Sequence, residues 1–133
     1  MSAEPAAYLD SSAFVKLFTS EAESRALDRY LASWPRTISS SLLHVEGLRI
    51  ARKIGPQALV SARDWLGGMS LVPMDQAVLE EAASIGPRVL RSLDAIHLAT
   101  ARQLGTDLGV ILTYDRRLAE AAAELGMPVA SPA

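Results

Sequence analysis

AAYLDSSAFVKLF, residues 6–18, sets how the rest of the chain is read. Four residues, Ala6 to Leu9, run apolar without alternation up to Asp10. Two serines follow, and then Ala13, Phe14, Val15, Leu17 and Phe18. A short, uniformly apolar run marks a strand buried on both faces. The serine pair marks a turn into a short helix, with Ser12 as its candidate cap. The segment therefore predicts a strand that delivers an acid at its C-terminal end. VILTYDRRLAEAAAELG, residues 110–126, repeats that logic: a β-branched apolar run, then Thr113 and Asp115, then a helix over 116–125 that Gly126 stops.

Between these two units the chain alternates strands and helices. Ser20 and Glu23 have capping-box spacing, which predicts a helix over 21–31. Strands are predicted at 37–39 and 70–72, and a last edge strand at 127–130. Helices are predicted over 42–53, 57–66, 77–85 and 94–104, with breaks at Gly55-Pro56, Gly67-Gly68 and Gly86-Pro87. In the helix over 42–53, Leu42, Val45, Leu48 and Arg49 fall near one stripe. Short apolar strands separated by helices imply an α/β fold, a parallel sheet with helices on both faces. No repeat, low-complexity stretch or linker divides the 133 residues, so residues 1–133 read as one domain. The opening MSAEPAA lies outside the motif pattern, and residues 1–6 are a candidate disordered tail.

Composition narrows the function classes. Half the residues are hydrophobic and 21% are charged, which suits an ordinary globular core. The absence of cysteine excludes disulfides, thiolate zinc sites and a cysteine nucleophile. A formal net charge of -2 argues against a non-specific DNA coat. No segment reads as a signal peptide or a membrane span, so the expected location is cytoplasmic and the membrane is not an expected partner.

Four acids stand out. Asp10 and Asp115 follow strands, where α/β folds collect functional groups. Glu46 and Asp94 interrupt apolar helical runs, LLHVEGL and SLDAIHLA. Carboxylates crowded in a partly buried cleft repel one another and lose hydration. A divalent cation relieves both, and Mg²⁺ and Mn²⁺ prefer such oxygen ligands. Each acid also has a plainer role: Asp10, Asp94 and Asp115 as helix caps, and Glu46 as a solvated helix residue. Lys16, Arg49, Arg52, Lys53, Arg91, Arg116 and Arg117 are candidate phosphate contacts or simply solvated faces, with Arg116 and Arg117 best placed beside Asp115. His97 lies three residues after Asp94 amid apolar neighbours, which favours a structural role over contact with the cleft. His44 falls on a different face from Glu46. Trp34 and Trp65 fit hydrophobic anchoring better than base stacking. Phe14, Val15, Leu17 and Phe18 are numerous for one short helix and are candidates for a dimer or partner interface.

Four segments in this order resemble PIN-domain ribonucleases, most of all the VapC-type toxins of bacterial toxin–antitoxin pairs. YLDSSAFVKLF places the family's first acid on Asp10 and a supporting hydroxyl on Ser12. SSSLLHVEGLR places the second acid on Glu46, although relatives often carry a basic or polar residue where His44 and Val45 stand. LRSLDAIHLATA, the best match of the four, places the third on Asp94. ILTYDRRLAEAAAELG places a hydroxyl on Thr113 and the fourth acid on Asp115. The resemblance spans essentially the whole chain. It implies a PIN-like α/β/α fold and a Mg²⁺- or Mn²⁺-dependent hydrolase that cuts single-stranded or looped RNA by in-line attack of water, leaving a 3′-hydroxyl and a 5′-phosphate. It implies Asp10, Asp94 and Asp115 as metal ligands and Glu46 completing the catalytic cluster; Arg116, Arg117 and Arg91 are this sequence's own candidates for contacting the RNA. It also implies a homodimer and a cognate VapB-type antitoxin.

Other classes fit less well. An RNA-processing PIN nuclease with a housekeeping role shares every acid. A catalytically inactive RNA-binding module would not need all four. An aspartyl phosphatase would want D-x-D where this chain has Asp10-Ser11-Ser12. A phosphate-accepting signalling domain would want adjacent acids near the first strand.

Overall fold

The computed structural model describes residues 4–133, so the part of the N-terminal tail at residues 1–3 lies outside it. Along the chain come β1 (Ala6–Leu9), α1 (Ser11–Val15), α2 (Ser24–Leu31), β2 (Thr37–Ser40), α3 (Leu42–Ile54), α4 (Pro56–Gly67), β3 (Ser70–Val72), α5 (Gln76–Ala82) and α6 (Ser92–Gln103). A single 3-10 turn (Gly105–Asp107) then leads to β4 (Leu108–Leu112), α7 (Arg116–Glu124) and β5 (Val129–Ala130). Every strand pairing is parallel, in the order β3-β2-β1-β4-β5. This is the α/β/α arrangement the apolar strand runs imply. Among the described residues no helix is long and apolar enough to cross a membrane.

β1 occupies the middle of the sheet, and all four of its residues are fully buried, Ala6 included. Its side chains divide the core by alternation. Ala6 and Tyr8 pack with Leu98, Ala99, Leu118 and Ala122 of α6 and α7. Ala7 and Leu9 pack with Ala13, Leu27 and Leu31 of α1 and α2. A third cluster sits over α1, where Phe14 meets Leu43, Ala51, Ala62 and Leu66 of α3 and α4. Burying a side chain such as Leu9 or Phe14 stabilises the fold by about 1.5–3 kcal/mol.

The order in which strands are added reverses about β1. The chain steps from β1 to β2 and β3 on one side, then crosses back to lay β4 on the other. A crevice opens at such a switch point beyond the C-terminal strand ends. Leu9 pairs with Leu112 there, so Asp10 and the Thr113–Asp115 turn leave adjacent strands side by side.

Local chemistry departs from the sequence reading at four places. Ser12 is inside α1 and does not cap it; Asp10 does, accepting from the Ala13 N–H at 2.9 Å. The Ser20–Glu23 capping box does not form, because Lys16 draws both Glu21 and Glu23 to itself at 2.7 and 2.9 Å, and α2 begins only at Ser24. The buried stripe of α3 is Leu43, Gly47 and Ala51, leaving Val45 55% exposed. Gly47 allows that face to reach α1: a Cβ there would lie 2.5 Å from the Phe14 ring. Finally, the apolar residues of the α1 region are partly taken up by the fold itself, while Val15, Leu17 and Phe18 stay half-buried. Phe14 is fully buried, and Leu17 and Phe18 pack within the α3–α4 cluster.

Candidate active site

Two hydroxyls join the ends of β1 and β4. The Tyr114 N–H donates to Ser12 Oγ at 2.8 Å, and Ser12 Oγ–H donates to Asp10 Oδ1 at 2.7 Å. In parallel, the Asp115 N–H donates to Thr113 Oγ1 at 3.1 Å, and Thr113 Oγ1–H donates to Asp10 Oδ2 at 2.5 Å. Each hydroxyl receives from the β4 turn and gives to the carboxylate. Asp10 is only 2% exposed. Burial pushes its carboxyl above the ordinary value, although the bonds from Thr113, Ser12 and Ala13 work against that rise.

The other acids arrive from three elements. Asp115 caps α7, its Oδ1 accepting from the Arg117 and Leu118 N–H groups at 2.9 and 3.3 Å. Its second oxygen has no protein donor among the described residues. Asp94 stands in the first turn of α6, half-buried and with no hydrogen-bond partner among the described residues. Burial raises its pKa first, and the charges of Asp115, Asp10 and Glu46 raise it further. Glu46 reaches in from α3, and its Oε1 lies 2.6 Å from His97 Nε2. The four acids picked out in the sequence thus face one another across the crevice at the C-terminal edge of the sheet.

Among the described residues, no three acids or histidines form a ready-made inner ligand set. The donors are nevertheless all carboxylate oxygens, a set suited to Mg²⁺ or Mn²⁺ and not to zinc. Asp94 has three acids close enough to raise its pKa, and no lysine or arginine is among the groups that shift it. The donor chemistry of these acids suits a divalent ion such as Mg²⁺, which commonly keeps several of its waters.

Basic residues divide into two groups. Arg91, Arg116 and Arg117 are exposed near the mouth of the crevice, at the start of α6 and of α7. Arg49, Arg52 and Lys53 are exposed along α3. Lys16 is removed from the candidates: it is 9% exposed, paired with Glu21 and Glu23, and stacked 4.7 Å over the Tyr114 ring. Trp34 and Trp65 are packed against the core, Trp34 over Gly109, where a Cβ would strike the indole. His44 is exposed on α3. The contact that sequence reasoning missed joins His97 to both Glu46 and Tyr8. Its only signal in the sequence was polar atoms at two positions whose neighbours are apolar.

Comparison with known proteins places these features in a wider set. The PIN domain family model matches residues 7–124. Ribonuclease VapC46 of Mycobacterium tuberculosis (strain ATCC 25618 / H37Rv) is 47% identical over 127 residues, covering 96% of this chain and 98% of its own. Ribonuclease VapC47 of Mycobacterium tuberculosis (strain CDC 1551 / Oshkosh) is 39% identical over 130 residues, covering 94% and 96%. In fold, the crystal structure of Mycobacterium tuberculosis VapC20, a Sarcin-Ricin loop cleaving toxin, superposes with a TM-score of 0.73 at 19% identity, over 95% of this chain and 99% of that one. A toxin–antitoxin complex from Klebsiella pneumoniae gives 0.70 at 23% identity, over 96% and 98%.

Proposed function

The chain belongs to the PIN-domain family, in its VapC-type branch, and on that premise we propose that it is a metal-dependent endoribonuclease, the toxin of a toxin–antitoxin pair. The observation that carries the reading is Asp94: a half-buried carboxylate with no protein donor among the described residues, facing three other acids. Such an arrangement costs stability in the free protein and is useful to a site that recruits a cation.

Asp10, Asp94 and Asp115 would hold Mg²⁺, with Mn²⁺ as a substitute. A bound ion would supply charge neutralisation at the phosphoryl group and acidify the attacking water. Asp10 is fixed by Ser12, Thr113 and the start of α1, so its oxygens cannot turn away. Asp115 offers its free oxygen from the start of α7. Glu46 orients the water from the α3 side. Arg116, Arg117 and Arg91 bind phosphates flanking the cut, a contact that positions RNA without reading its sequence. We further propose that the chain works in the cytoplasm as a homodimer. A cognate VapB-type antitoxin neutralises it by covering the crevice. Support for the partner comes from the relatives' VapC names and the solved toxin–antitoxin neighbour.

The test is to incubate purified, antitoxin-free protein with total cellular RNA and Mg²⁺ or Mn²⁺ and to map new ends by sequencing. Discrete cuts, absent with chelator and in Asp94→Asn, are the expected result. RNA left intact by folded protein in the presence of metal would refute the nuclease reading for that RNA pool.

A further inference from the structure

Tyr8 and His97 are buried polar side chains with no part in the reading above. Tyr8 is fully buried in the central strand and His97 is 1% exposed on α6. A phenol and an imidazole placed among Leu98, Ile111 and Leu118 lose their hydration and persist only when paired. The Tyr8 hydroxyl lies 2.7 Å from His97 Nδ1, and the two rings meet edge to face with centroids 5.8 Å apart. On the other side of the imidazole, Nε2 lies 2.6 Å from Glu46 Oε1. A continuous hydrogen-bonded line therefore runs from the middle of the sheet to a carboxylate of the crevice.

The partners select a direction along that line. Tyr8 is a buried phenol, a group that carries its proton at neutral pH. A carboxylate only accepts, so the 2.6 Å contact with Glu46 places the imidazole's proton on Nε2, and Nδ1 of the neutral ring then accepts from the Tyr8 hydroxyl. That N–H donates to Glu46, a charge-assisted bond of the stronger kind. It holds the carboxylate against the repulsion it shares with Asp94.

We propose that His97 is the positioning residue of the site: clamped through Nδ1 by Tyr8, it fixes Glu46 in the crevice through Nε2. The effect on rate rests on the nuclease reading; the clamp itself does not. Two measurements on the full chain keep them apart. The first is ring-nitrogen NMR of His97 without metal or RNA. A neutral ring protonated on Nε2 is expected, with its resonance displaced in Glu46→Gln and its single tautomer lost in Tyr8→Phe. An unprotonated Nε2, or a resonance indifferent to both substitutions, overturns the clamp. The second is steady-state cleavage of a mapped RNA. His97→Ala should lower kcat about 10- to 100-fold, the usual cost of losing a supporting partner, with KM within about twofold. His97→Gln, which keeps an N–H for Glu46, should recover much of the loss, and Tyr8→Phe, which preserves the packing, should show a smaller fall. A folded His97→Ala or Tyr8→Phe variant with wild-type kcat refutes the proposal. If the wild type cuts no RNA, the nuclease reading fails while the ring-proton measurement still decides the clamp.

Discussion

Thr113→Val tests how the two strand ends are held together. Valine matches threonine in shape but removes the hydroxyl that donates to Asp10 Oδ2 at 2.5 Å and accepts from the Asp115 N–H at 3.1 Å. A hydrogen bond to a charged group contributes about 1.5–3 kcal/mol, and a donor left unpaired costs about 1–3 kcal/mol where water cannot replace the acceptor. Asp115 is half-exposed, so its N–H regains part of that loss from solvent. The expected destabilisation at neutral pH is about 3 kcal/mol, which for a chain of this size lowers Tm by roughly 10 °C. Thr113→Ser, which keeps the hydroxyl, should recover most of it. Acid adds a second signature. Burial already raises the Asp10 pKa and the Thr113 bond lowers it, so valine raises it further. Loss of the charge-assisted bond matters only while Asp10 is ionised. The deficit should therefore be complete above the variant's folded pKa and shrink as pH falls through it toward the ordinary carboxylate range. Denaturant unfolding of the three proteins across about pH 4–8 reads both effects. If valine and serine variants unfold alike at neutral pH, or if the valine deficit grows in acid, the role assigned to this hydroxyl is wrong.

Asp94→Asn should abolish cleavage yet stabilise the free protein by about 0.5–1 kcal/mol at neutral pH, since it removes a repelled charge that is still partly screened by water. Because the folded pKa of Asp94 is raised, the folded state binds more protons than the unfolded one between the two values. Wild-type stability falls as pH rises through that window, and the variant's advantage should vanish near pH ~4. Mg²⁺ should raise the Tm of the wild type by mass action and raise that of Asp94→Asn less; equal shifts in calorimetry would count against Asp94 as a ligand. Gly47→Ala should cost about 1–3 kcal/mol in chemical denaturation, because its Cβ meets the Phe14 ring at 2.5 Å, and Phe14→Leu should restore part of the loss.

Much of the fold was legible because burial on both faces leaves a plain signature. The runs at residues 6–9 and 70–72 match β1 and β3 at both ends, and the helices over 42–53 and 57–66 are correct within a residue or so. The polar network was less legible. Ser20–Glu23 has the spacing of a capping box, yet nothing local to that segment shows that Lys16 will be buried beneath Tyr114 and take both glutamates. Val45 matches the apolar spacing of α3 but lies outside the buried face, because the small residue Gly47 and the ring of Phe14 set which side of the helix is pressed inward.

The sequence by itself determined the alternation of buried strands and helices, the positions of Asp10 and Asp115 just past strands, and the order of the four acidic segments. These follow from periodicity, turn chemistry and family pattern, all of which act over a few residues. Tertiary structure alone decided which carboxylate is tied and which is free. Asp10 is locked by hydroxyls that include one 103 positions away, Glu46 by a histidine 51 positions away, and Asp94 by nothing among the described residues. Those partners become neighbours only when β4 pairs beside β1 and α3 and α6 pack about the crevice. Hydrogen bonds and charge repulsion act over a few ångströms in space, whatever the separation along the chain.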